Sequence, residues 1–469
     1  MSFKELGLDE NILKALSILD YKEPLPVQER VIPYMLDTMN LIVKSKTGSG
    51  KTASFALPII QKMEIDEKLP QALVLVPTRE LSLQIKEEFD KLGSFKKIKT
   101  ISITGKQPFK FQKEDLQQRT HVVIGTPGRL LDHLKQNTLN VDKVKYVILD
   151  EADEMLNLNF IEDIRSIFAF LSSNPATCIF SETYPEGIQN LSKEFLKDPK
   201  MIEMEGNVKI DEYFYSVKET LKNEILYQCI GKYKWDSLIV FGKTQARVEA
   251  IYTYLKDKDV SCNRIHAGLM QDERFSCIKD FKKGAFRVLI ATDVAARGLD
   301  IMKVDCIINY DMPSPMAFYT HRIGRSGRVN EKGMAITFIN EYDNNHVQQL
   351  KEYLHKEIPV EPFIPYTISK QDKEIISKST KIVENKAKEL KKGRMTLYLN
   401  GGKNKKIRPG DIVGAICQIE TVSMEDIGII QVQDHQSYVE ILNDKGKLVL
   451  KQLQNLTIKN KKLKIQEAI

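Results

Sequence analysis

Two stretches of the sequence hold the residue types that bind a triphosphate and its metal ion. In one of them, the apolar residues 146–149 are followed by the acids Asp150, Glu151 and Asp153. Such a run is typical of a buried parallel strand, and open α/β sheets place ligands at the carboxyl ends of these strands. Because crowded carboxylates repel one another, we expect them to face a cation or to accept protons.

The second stretch, residues 45–52, reads Ser-Lys-Thr-Gly-Ser-Gly-Lys-Thr and lies between the apolar residues 41–43 and a helix-like segment. Glycine has no Cβ, so backbone N–H groups of this loop can face a phosphate. A strand, a glycine-bearing loop, a Lys-Thr pair and a helix together form a phosphate cradle. The two stretches therefore predict one site for a nucleoside triphosphate and Mg²⁺. The loop residues expected to contact the nucleotide are Ser45, Thr47, Gly48, Ser49, Gly50, Lys51 and Thr52.

The residue types at this site predict separate roles. We expect Lys51 to place its charge on the β- and γ-phosphates, and the Thr52 hydroxyl to ligate Mg²⁺. Asp150 is expected to hold Mg²⁺ mostly through water, whereas Glu151 is the candidate general base that orients the attacking water. Asp153 is expected to bond to neighbouring polar groups rather than to the metal. Lys51, Asp150 and Glu151 are therefore the candidate catalytic residues in this stretch.

Composition limits the class of protein. A chain of 469 residues with 42% apolar content predicts two to four domains with well-formed cores. No apolar run reaches the length of a membrane helix, and the N-terminus lacks the apolar segment of a signal peptide. The six cysteines have no metal-type spacing. These features favour a cytoplasmic protein with reduced thiols and no membrane contact.

The positive charge is concentrated near the C-terminus. Residues 391–469 hold 14 Lys and Arg against 8 Asp and Glu, which gives +6 of the chain's net charge of +7. A basic terminal domain predicts a polyanionic partner. On charge alone, a tail that only keeps the protein soluble remains the alternative.

Short apolar strands alternate with helix-like segments in two successive domains, at residues 1–207 and 208–366. This alternation predicts an α/β fold with two tandem parallel sheets covered by helices. A polar cluster follows each strand, so the clusters of one sheet should lie together at the carboxyl ends of its strands. The expected strands are residues 41–44, 72–76, 100–103, 122–125, 146–149 and 178–180 in the first domain, and 214–217, 238–241, 262–265, 288–291, 307–310 and 335–339 in the second.

Residues 367–393 are predicted to form a helical or flexible linker, and residues 394–469 a small α+β domain of the RNA-recognition type. Its signals run strand–helix–strand–strand–helix–strand, at residues 396–399, 413–419, 427–433, 438–442, 448–453 and 463–465. Tyr398 and Tyr438 fall on the expected central strands, where core packing and base stacking fit the pattern equally well. The better candidates for RNA contact are the cations of one loop, Lys403, Lys405, Lys406 and Arg408.

Residues 150–153, Asp-Glu-Ala-Asp, together with the phosphate loop closely resemble the DEAD-box ATP-dependent RNA helicases, and the remaining motifs follow in that family's order. The resemblance implies two tandem RecA-like domains and an RNA-dependent ATPase. It also implies that Phe3 stacks on adenine, that Gln28 bonds to the adenine edge, and that Asp293 binds the ribose. The implied RNA contacts are Thr78, Arg79, Gly105, Thr126, Arg129, Lys243, Arg274, Thr292 and Gly298.

The resemblance further implies that the catalytic residues are divided between the two domains. The phosphate loop belongs to the first, whereas Arg325 and Arg328 of the second would act as arginine fingers on the γ-phosphate. ATP and RNA should then each favour closure of the two domains and help the other to bind. Because the implied RNA contacts address the backbone, RNA sequence should matter little to them.

Four positions depart from the family's pattern. Asp20 and Leu25 replace the usual Gly and Thr of the adenine motif, and Lys106 replaces the second glycine of a glycine pair. Glu182 stands between Ser181 and Thr183 where the family has alanine. This carboxylate can weaken the coupling of hydrolysis to strand separation, or have no effect if it points to solvent.

Within the family, the tail resembles the bacterial DbpA/YxiN branch through its Gly-Gly-Lys, Ile-Arg-Pro-Gly-Asp-Ile-Val-Gly-Ala-Ile and Glu-Asp-Ile-Gly-Ile-Ile runs. This implies a monomeric helicase whose tail binds a hairpin of 23S ribosomal RNA (rRNA) during assembly of the large ribosomal subunit. An ATP-gated RNA clamp with little unwinding is the alternative that Glu182 favours. A DNA translocase is a weaker alternative, because the motifs resemble those of RNA enzymes.

Overall fold

The computed structural model describes residues 1–45, 49–171, 174–204, 210–296, 304–327, 333–380, 390, 392–454 and 456–468. The chain forms two compact units. One contains residues 1–44, 52–202 and 386–469, and the other contains residues 45–51 and 203–385. Within the described part, no helix is long and apolar enough to cross a membrane.

Seven strands form the first sheet, in the order β3-β4-β2-β5-β6-β1-β7. Strands β1 to β6 pair in parallel, and β2, β4 and β5 are buried along their whole length because their apolar side chains pack on both faces. The strands are β1 (Leu41–Lys44), β2 (Ala72–Leu75), β3 (Thr100–Ile103), β4 (Val122–Gly125), β5 (Tyr146–Leu149), β6 (Ala176–Ser181) and β7 (Lys200–Glu203). The helices are α1 (Glu10–Ile18), α2 (Pro26–Leu36), α3 (Lys51–Lys62), α4 (Arg79–Leu92), α5 (Phe109–Leu116), α6 (Pro127–Lys135), α7 (Ala152–Asn157), α8 (Ile161–Phe168) and α9 (Glu186–Phe195).

The register of this sheet aligns the ends of its strands. Leu75 at the end of β2 pairs with Gly125 of β4 on one side and with Leu149 of β5 on the other. The polar segments that follow these strands therefore begin side by side. The strand order also divides them, because β5, β6 and β1 are neighbours and so are β2, β4 and β3. Nucleotide residues predicted from the sequence follow the first group of strands, and predicted RNA contacts follow the second.

The second sheet also has seven strands, in the order β10-β11-β9-β12-β13-β8-β14, and its pairs are parallel. Its strands are β8 (Ile210–Ser216), β9 (Leu238–Phe241), β10 (Cys262–Ile265), β11 (Val288–Ala291), β12 (Cys306–Asn309), β13 (Gly333–Ile339) and β14 (Val360–Pro362). Its helices are α10 (Lys222–Tyr233), α11 (Gln245–Asp257), α12 (Gln271–Lys282), α13 (Asp293–Ala296), α14 (Ala317–Ile323), α15 (Asn344–Leu354) and α16 (Lys370–Ser377). The edge strands β7 and β14 were not expected, since their largely exposed residues form no apolar run.

Helix α16 lies inside the segment predicted to be a linker. Ile376 on this helix is 1% exposed and belongs to the hydrophobic core of the second domain. Asp372 accepts a bond from the Tyr366 hydroxyl and pairs with Lys234 at 2.8 Å, which holds the helix on α10. This part of the predicted linker is therefore packed on the second domain, through one buried isoleucine and one buried, ion-paired aspartate.

The C-terminal domain is a four-stranded antiparallel sheet in the order β16-β17-β15-β18, with two helices. Its elements are β15 (Met395–Leu399), α17 (Pro409–Ile416), β16 (Ile427–Val432), β17 (Ser437–Ile441), α18 (Gly446–Leu453) and β18 (Ile465–Glu467). The predicted fold class is confirmed: two parallel α/β domains are followed by a small α+β domain with the expected central strands.

The structure decides between the two roles left open for the tyrosines of this sheet. Leu397 and Val439 face the core and are fully buried, so Tyr398 and Tyr438 lie on the opposite face. The two tyrosines are direct cross-strand partners, with ring centroids 5.7 Å apart and an interplanar angle of 66°. They are therefore half-buried residues of the outer face rather than core residues.

Candidate functional site

The phosphate loop connects β1 to α3. Ser45 and Lys51, at its two ends, are 2% and 7% exposed, and the Lys51 Nζ donates to the Ser45 carbonyl at 2.9 Å. The Ser45 and Ser49 hydroxyls are 2.6 Å apart. Gly50 has φ +92°, a conformation that strains residues with a Cβ. The predicted residues Ser45, Ser49, Gly50 and Lys51 are thus brought together, and Thr52 follows in the first turn of α3.

The acidic cluster lies where β5 ends and α7 begins. Asp150 is 3% exposed, and its Oδ1 accepts the Glu151 backbone N–H at 3.0 Å. Glu151 has φ 51° and ψ 51°, a left-handed conformation that costs about 1–3 kcal/mol for a residue other than glycine. Strain of this kind is typical of functional sites, where surrounding structure holds a side chain in one direction. Two adjacent acids therefore have different environments, one buried and one half-exposed.

Asp153 is held by the strand beside it. Its Oδ2 accepts from the backbone N–H and the hydroxyl of Thr183, at 2.9 and 2.8 Å, and its own N–H donates to the Ser181 hydroxyl at 3.2 Å. These bonds confirm the prediction that Asp153 bonds to neighbouring polar groups. Glu182 is half-buried between the two partners of Asp153. Glu182 therefore directly follows β6, between two residues that bond to α7.

Two residues predicted to bind adenine are buried in the first unit. Gln28 is 1% exposed, and its Oε1 accepts the Leu25 N–H at 2.9 Å at the start of α2. Phe3 is 4% exposed and packs 6.4 Å from the ring of Tyr21. In this conformation both side chains have structural roles, so adenine recognition stays a prediction that requires the Phe3 ring to become accessible.

The predicted RNA contacts of the first domain follow β2, β3 and β4. The Thr78 hydroxyl caps α4 by accepting the Leu81 N–H at 3.2 Å, and Arg79 is the first residue of that helix. A Cβ added to Gly105 would lie 3.4 Å from the Arg79 Nη2, so the guanidinium lies directly over this glycine. The strand order thus brings Thr78, Arg79 and Gly105 into one group.

Thr126 and Arg129, at the start of α6, extend this group. The Arg129 Nη1 donates to the Gln107 carbonyl at 2.9 Å and to the Gln112 Oε1 at 3.0 Å. Gln112 in turn contacts His133, whose pKa is lowered to about 4 by burial and by the nearby Arg129 charge. A neutral imidazole therefore supports this basic surface without adding charge to it.

In the second domain, Arg322 is the central polar residue at the carboxyl ends of three strands. It is 2% exposed and binds both carboxylate oxygens of Asp293, at 2.6 and 2.7 Å. Its Nη1 also donates to the Asn309 Oδ1 and to the Asp311 carbonyl. Sequence reasoning assigned Asp293 to the ribose and left Arg322 without a role. The structure shows that the two form a buried, bidentate ion pair.

Asp311 connects this ion pair to a predicted RNA contact. Its Oδ2 accepts the Lys243 backbone N–H at 3.0 Å, and its Oδ1 lies 3.3 Å from the Nζ of the buried Lys222. Lys222 also pairs with Glu219 at 2.9 Å. The backbone at Lys243 is therefore fixed by buried charges, a role for Asp311 and Lys222 that no local sequence signal revealed.

The other residues predicted to bind RNA or ATP in this domain differ in burial and in the element that carries them. Thr292 is 6% exposed just before α13, Arg274 lies in the first turn of α12, and Arg325 is 7% exposed after α14. Four predicted residues lie outside the described part of the chain: Thr47, Gly48, Gly298 and Arg328. In the part that is described, no group of three or more His, Cys, Asp or Glu could hold a metal ion by itself.

In the C-terminal domain, the basic loop at residues 403–408 is hydrogen-bonded to a second basic segment at residues 459–461. The Lys459 Nζ donates to the Lys406 carbonyl at 2.8 Å, and the Lys461 Nζ donates to the Lys405 carbonyl at 2.6 Å. These two lysines join the predicted contacts in one exposed group, the basic cluster: Lys403, Lys405, Lys406, Arg408, Lys459 and Lys461. The run of lysines after residue 458 was the signal that sequence reasoning missed.

Replacing Lys459 or Lys461 with methionine is expected to weaken RNA binding and to lower the slope of log affinity against log salt by about one per residue. The physical reason is that each charge lost releases fewer counterions when RNA binds. Titration of RNA at several salt concentrations measures the slope. Lys447→Met on α18 is the matched control, and an equal slope in all three variants would contradict the assignment of the cluster.

Three family models match the chain. Residues 25–191 match the DEAD/DEAH box helicase model, residues 221–330 the helicase conserved C-terminal domain, and residues 396–467 the DbpA RNA binding domain. The matched ranges include most of the first sheet, the Arg322 ion pair and nearly all of the C-terminal sheet.

Full-length relatives give the same result. The chain is 43% identical to the ATP-dependent RNA helicase DbpA of Bacillus subtilis over 99% of both chains. It is 39% identical to the DEAD-box ATP-dependent RNA helicase CshA of Geobacillus kaustophilus, over 72% of this chain and 73% of the relative. Among solved structures, S. cerevisiae Dbp5 bound to RNA and ADP BeF3 superposes with a TM-score of 0.69 at 31% identity, covering 77% of this chain and 95% of that one.

Proposed function

The chain belongs to the DEAD-box ATP-dependent RNA helicases, which makes it an RNA-stimulated ATPase with two RecA-like domains, and we propose that it remodels 23S rRNA during assembly of the large ribosomal subunit. In this proposal the C-terminal domain binds a hairpin of that RNA. The RecA-like domains then act on adjacent duplex. The protein works in the cytoplasm as a monomer on the pre-ribosomal particle.

The observation that carries this proposal is the C-terminal domain. Residues 396–467 match the DbpA RNA binding domain, and the domain presents the exposed basic cluster on one side. The contacts proposed for the RecA-like domains are threonine hydroxyls, glycine backbone, arginines and one lysine, which bind phosphates without reading bases. Choice of the RNA target is therefore assigned to the C-terminal domain, and the mechanical work to the other two.

For hydrolysis, the geometry supports a division of labour at the strand ends. Lys51 carries a buried ammonium whose hydrogen bond to the Ser45 carbonyl can be exchanged for phosphate oxygens. Glu151, in its left-handed conformation, is half-exposed and is proposed to orient the attacking water. Arg325 and Arg328 are proposed to offset charge on the γ-phosphate in the transition state.

The donor atoms at this site suit Mg²⁺. Thr52 supplies a hydroxyl and Asp150 a buried carboxylate, and hard oxygen donors are what this ion prefers. Two protein ligands are few, but Mg²⁺ usually keeps several waters and binds through substrate phosphates. When bound with ATP, the ion would supply positive charge to the β- and γ-phosphates. Asp150 keeps its orientation through the Glu151 N–H bond.

A panel of rRNA fragments tests the proposed target. We expect fragments of 23S rRNA that contain the recognised hairpin to stimulate ATP hydrolysis at far lower concentration than unrelated RNA of equal length. The measurement is the RNA concentration that gives half-maximal turnover. Equal values for all fragments would contradict the proposal while leaving the helicase assignment intact.

A second candidate function, an ATP-gated RNA clamp, is favoured by Glu182 alone. Glu182 stands in the chain between Ser181 and Thr183, whose bonds to Asp153 join the end of β6 to α7. If its charge weakens coupling, then Glu182→Ala should raise the number of strands displaced per ATP by several-fold without changing ATP turnover. Strand displacement measured beside ATP hydrolysis gives this ratio, and Glu186→Ala, an exposed acid on α9, is the control. An unchanged ratio would mean that Glu182 has no part in coupling.

A further inference from the structure

A loop and a helix end of the first RecA-like domain contact the edge strand of the C-terminal sheet. The contacting residues are Ser94, Phe95 and Lys97, between α4 and β3, and Gln117 and Gln118, just after α5. We call these residues the docking surface. The segment they contact is mainly β16, an edge strand whose backbone is unpaired on its outer side within the C-terminal sheet.

Gln118 satisfies the backbone of this edge strand. Its Nε2 donates to the Val432 carbonyl at 2.7 Å, and its Oε1 accepts the Val432 N–H at 3.3 Å. One side-chain amide thus replaces both bonds that a neighbouring strand would make. At the other end of β16, the Lys97 Nζ donates to the Ile427 carbonyl at 2.7 Å. The two contacts hold the strand at both ends.

Arg394 makes the matching contacts from the C-terminal domain. Its Nη2 donates to the Ser94 carbonyl at 2.9 Å, and its guanidinium lies 5.3 Å from the centre of the Phe95 ring. The same side chain is 3.6 Å from the Glu440 carboxylate and only 16% exposed. A largely buried arginine with three partners indicates a specific contact rather than a chance approach of two surfaces.

The docking surface lies at the amino ends of the strands of the first sheet, whereas the candidate catalytic residues lie at the carboxyl ends. Residues 94–97 and 117–118 precede β3 and β4, whereas Gly105 and Thr126 follow these strands. Because a strand rises about 3.3 Å per residue, the amino and carboxyl ends of a four-residue strand are roughly 13 Å apart. Docking therefore leaves the predicted RNA contacts of the first domain open.

Docking also leaves the basic cluster open. Its six cations remain exposed, and only Lys403 contacts the docking surface, with its Nζ 3.3 Å from the Gln117 Oε1. RNA held by the cluster would thus lie at a fixed offset from the first domain, on a body that cannot rotate freely.

We propose that the docking surface binds the β16 edge of the C-terminal domain and thereby sets the distance between the RNA held by the basic cluster and the duplex engaged by the RecA-like domains. The docking contact stands on the geometry alone, and its role as a spacer rests on the proposed function. A flexible tether would reach duplexes at many distances, whereas a docked domain selects one range of distances.

Hydrogen–deuterium exchange of the full-length chain tests the docking contact. Gln118→Glu places a carboxylate against the Val432 carbonyl, and Arg394→Ala removes the contacts from the other side. Each variant alone is expected to exchange the amides of residues 427–432 and 94–97 roughly tenfold faster than the parent. Gln136→Glu, an exposed glutamine of the same domain, should match the parent. Unchanged exchange in both docking variants would overturn the proposal.

Strand displacement tests the spacer role. Substrates carry the hairpin that best stimulates turnover, joined to a short duplex by single-stranded spacers of increasing length. The parent should show a maximum at one spacer length, and both docking variants a flat dependence, with equal ATP turnover on unstructured RNA. The same maximum in a variant with accelerated exchange would overturn the spacer role. Failure of any rRNA hairpin to stimulate turnover would instead refute the proposed target, and the exchange result would still decide the docking contact.

Discussion

Replacing Glu151 with glutamine is expected to lower RNA-stimulated ATP turnover by about 10²–10⁴-fold, the usual contribution of a general base. The amide keeps the size of the side chain but cannot accept the proton of the attacking water. The left-handed backbone of Glu151 and its N–H bond to Asp150 do not depend on the carboxylate. The variant should therefore fold and bind RNA through its C-terminal domain as the parent does.

Steady-state ATP hydrolysis at saturating RNA measures this loss, and titration of RNA without ATP checks the C-terminal domain. Glu186→Gln, an exposed acid at the start of α9, is the matched control and should keep parental turnover. Lys51→Ala should also abolish turnover, because the phosphates lose the buried ammonium. Retained turnover in both the Glu151 and Lys51 variants would refute the assigned roles.

Replacing Arg322 with methionine is expected to lower the free energy of unfolding of the second domain by about 3–5 kcal/mol. Asp293 would be left largely buried without its bidentate partner, and Asn309 and the Asp311 carbonyl would each lose a donor. Removing one member of a buried pair costs more than the pair contributes, because the remaining charge stays desolvated.

Urea or thermal unfolding of the full-length chain measures this effect. Arg165→Met is the matched control: Arg165 also contacts two acids, Glu162 and Glu194, but its side chain is 39% exposed, so its loss should cost at most about 1 kcal/mol. The double variant Arg322→Met with Asp293→Asn should recover part of the stability, since no unpaired charge remains. Equal losses in the Arg322 and Arg165 variants would show that the ion pair does not stabilise the domain.

The Arg322 pair also bears on RNA binding. Asp311, which accepts from Arg322 through its carbonyl, accepts the Lys243 N–H through its side chain. Asp293, the proposed ribose ligand, and Lys243, the proposed RNA contact, are therefore joined by three successive hydrogen-bonded contacts through Arg322 and Asp311. A rigid connection of this length is a physical route by which each ligand can influence the other.

Much of the fold and part of the site followed from local patterns in the sequence. Four-residue apolar runs such as residues 146–149 predict buried parallel strands, and all six strands expected in the first domain are present. The order of signals in the C-terminal domain predicted its two central strands. The phosphate loop and the acids after β5 could be proposed as the nucleotide site because their chemistry depends on residues that are adjacent in the chain.

The sequence by itself therefore determined the fold class and the family, and it located the segments proposed to carry the chemistry, since strand length, turn composition and short motifs are local properties. Only the tertiary structure decided which side chains meet. It placed Tyr398 and Tyr438 on the outer face, paired Asp293 with Arg322, and brought Gln118 to the edge of β16. These contacts join residues far apart in the chain, and they depend on strand order and packing that no local pattern encodes.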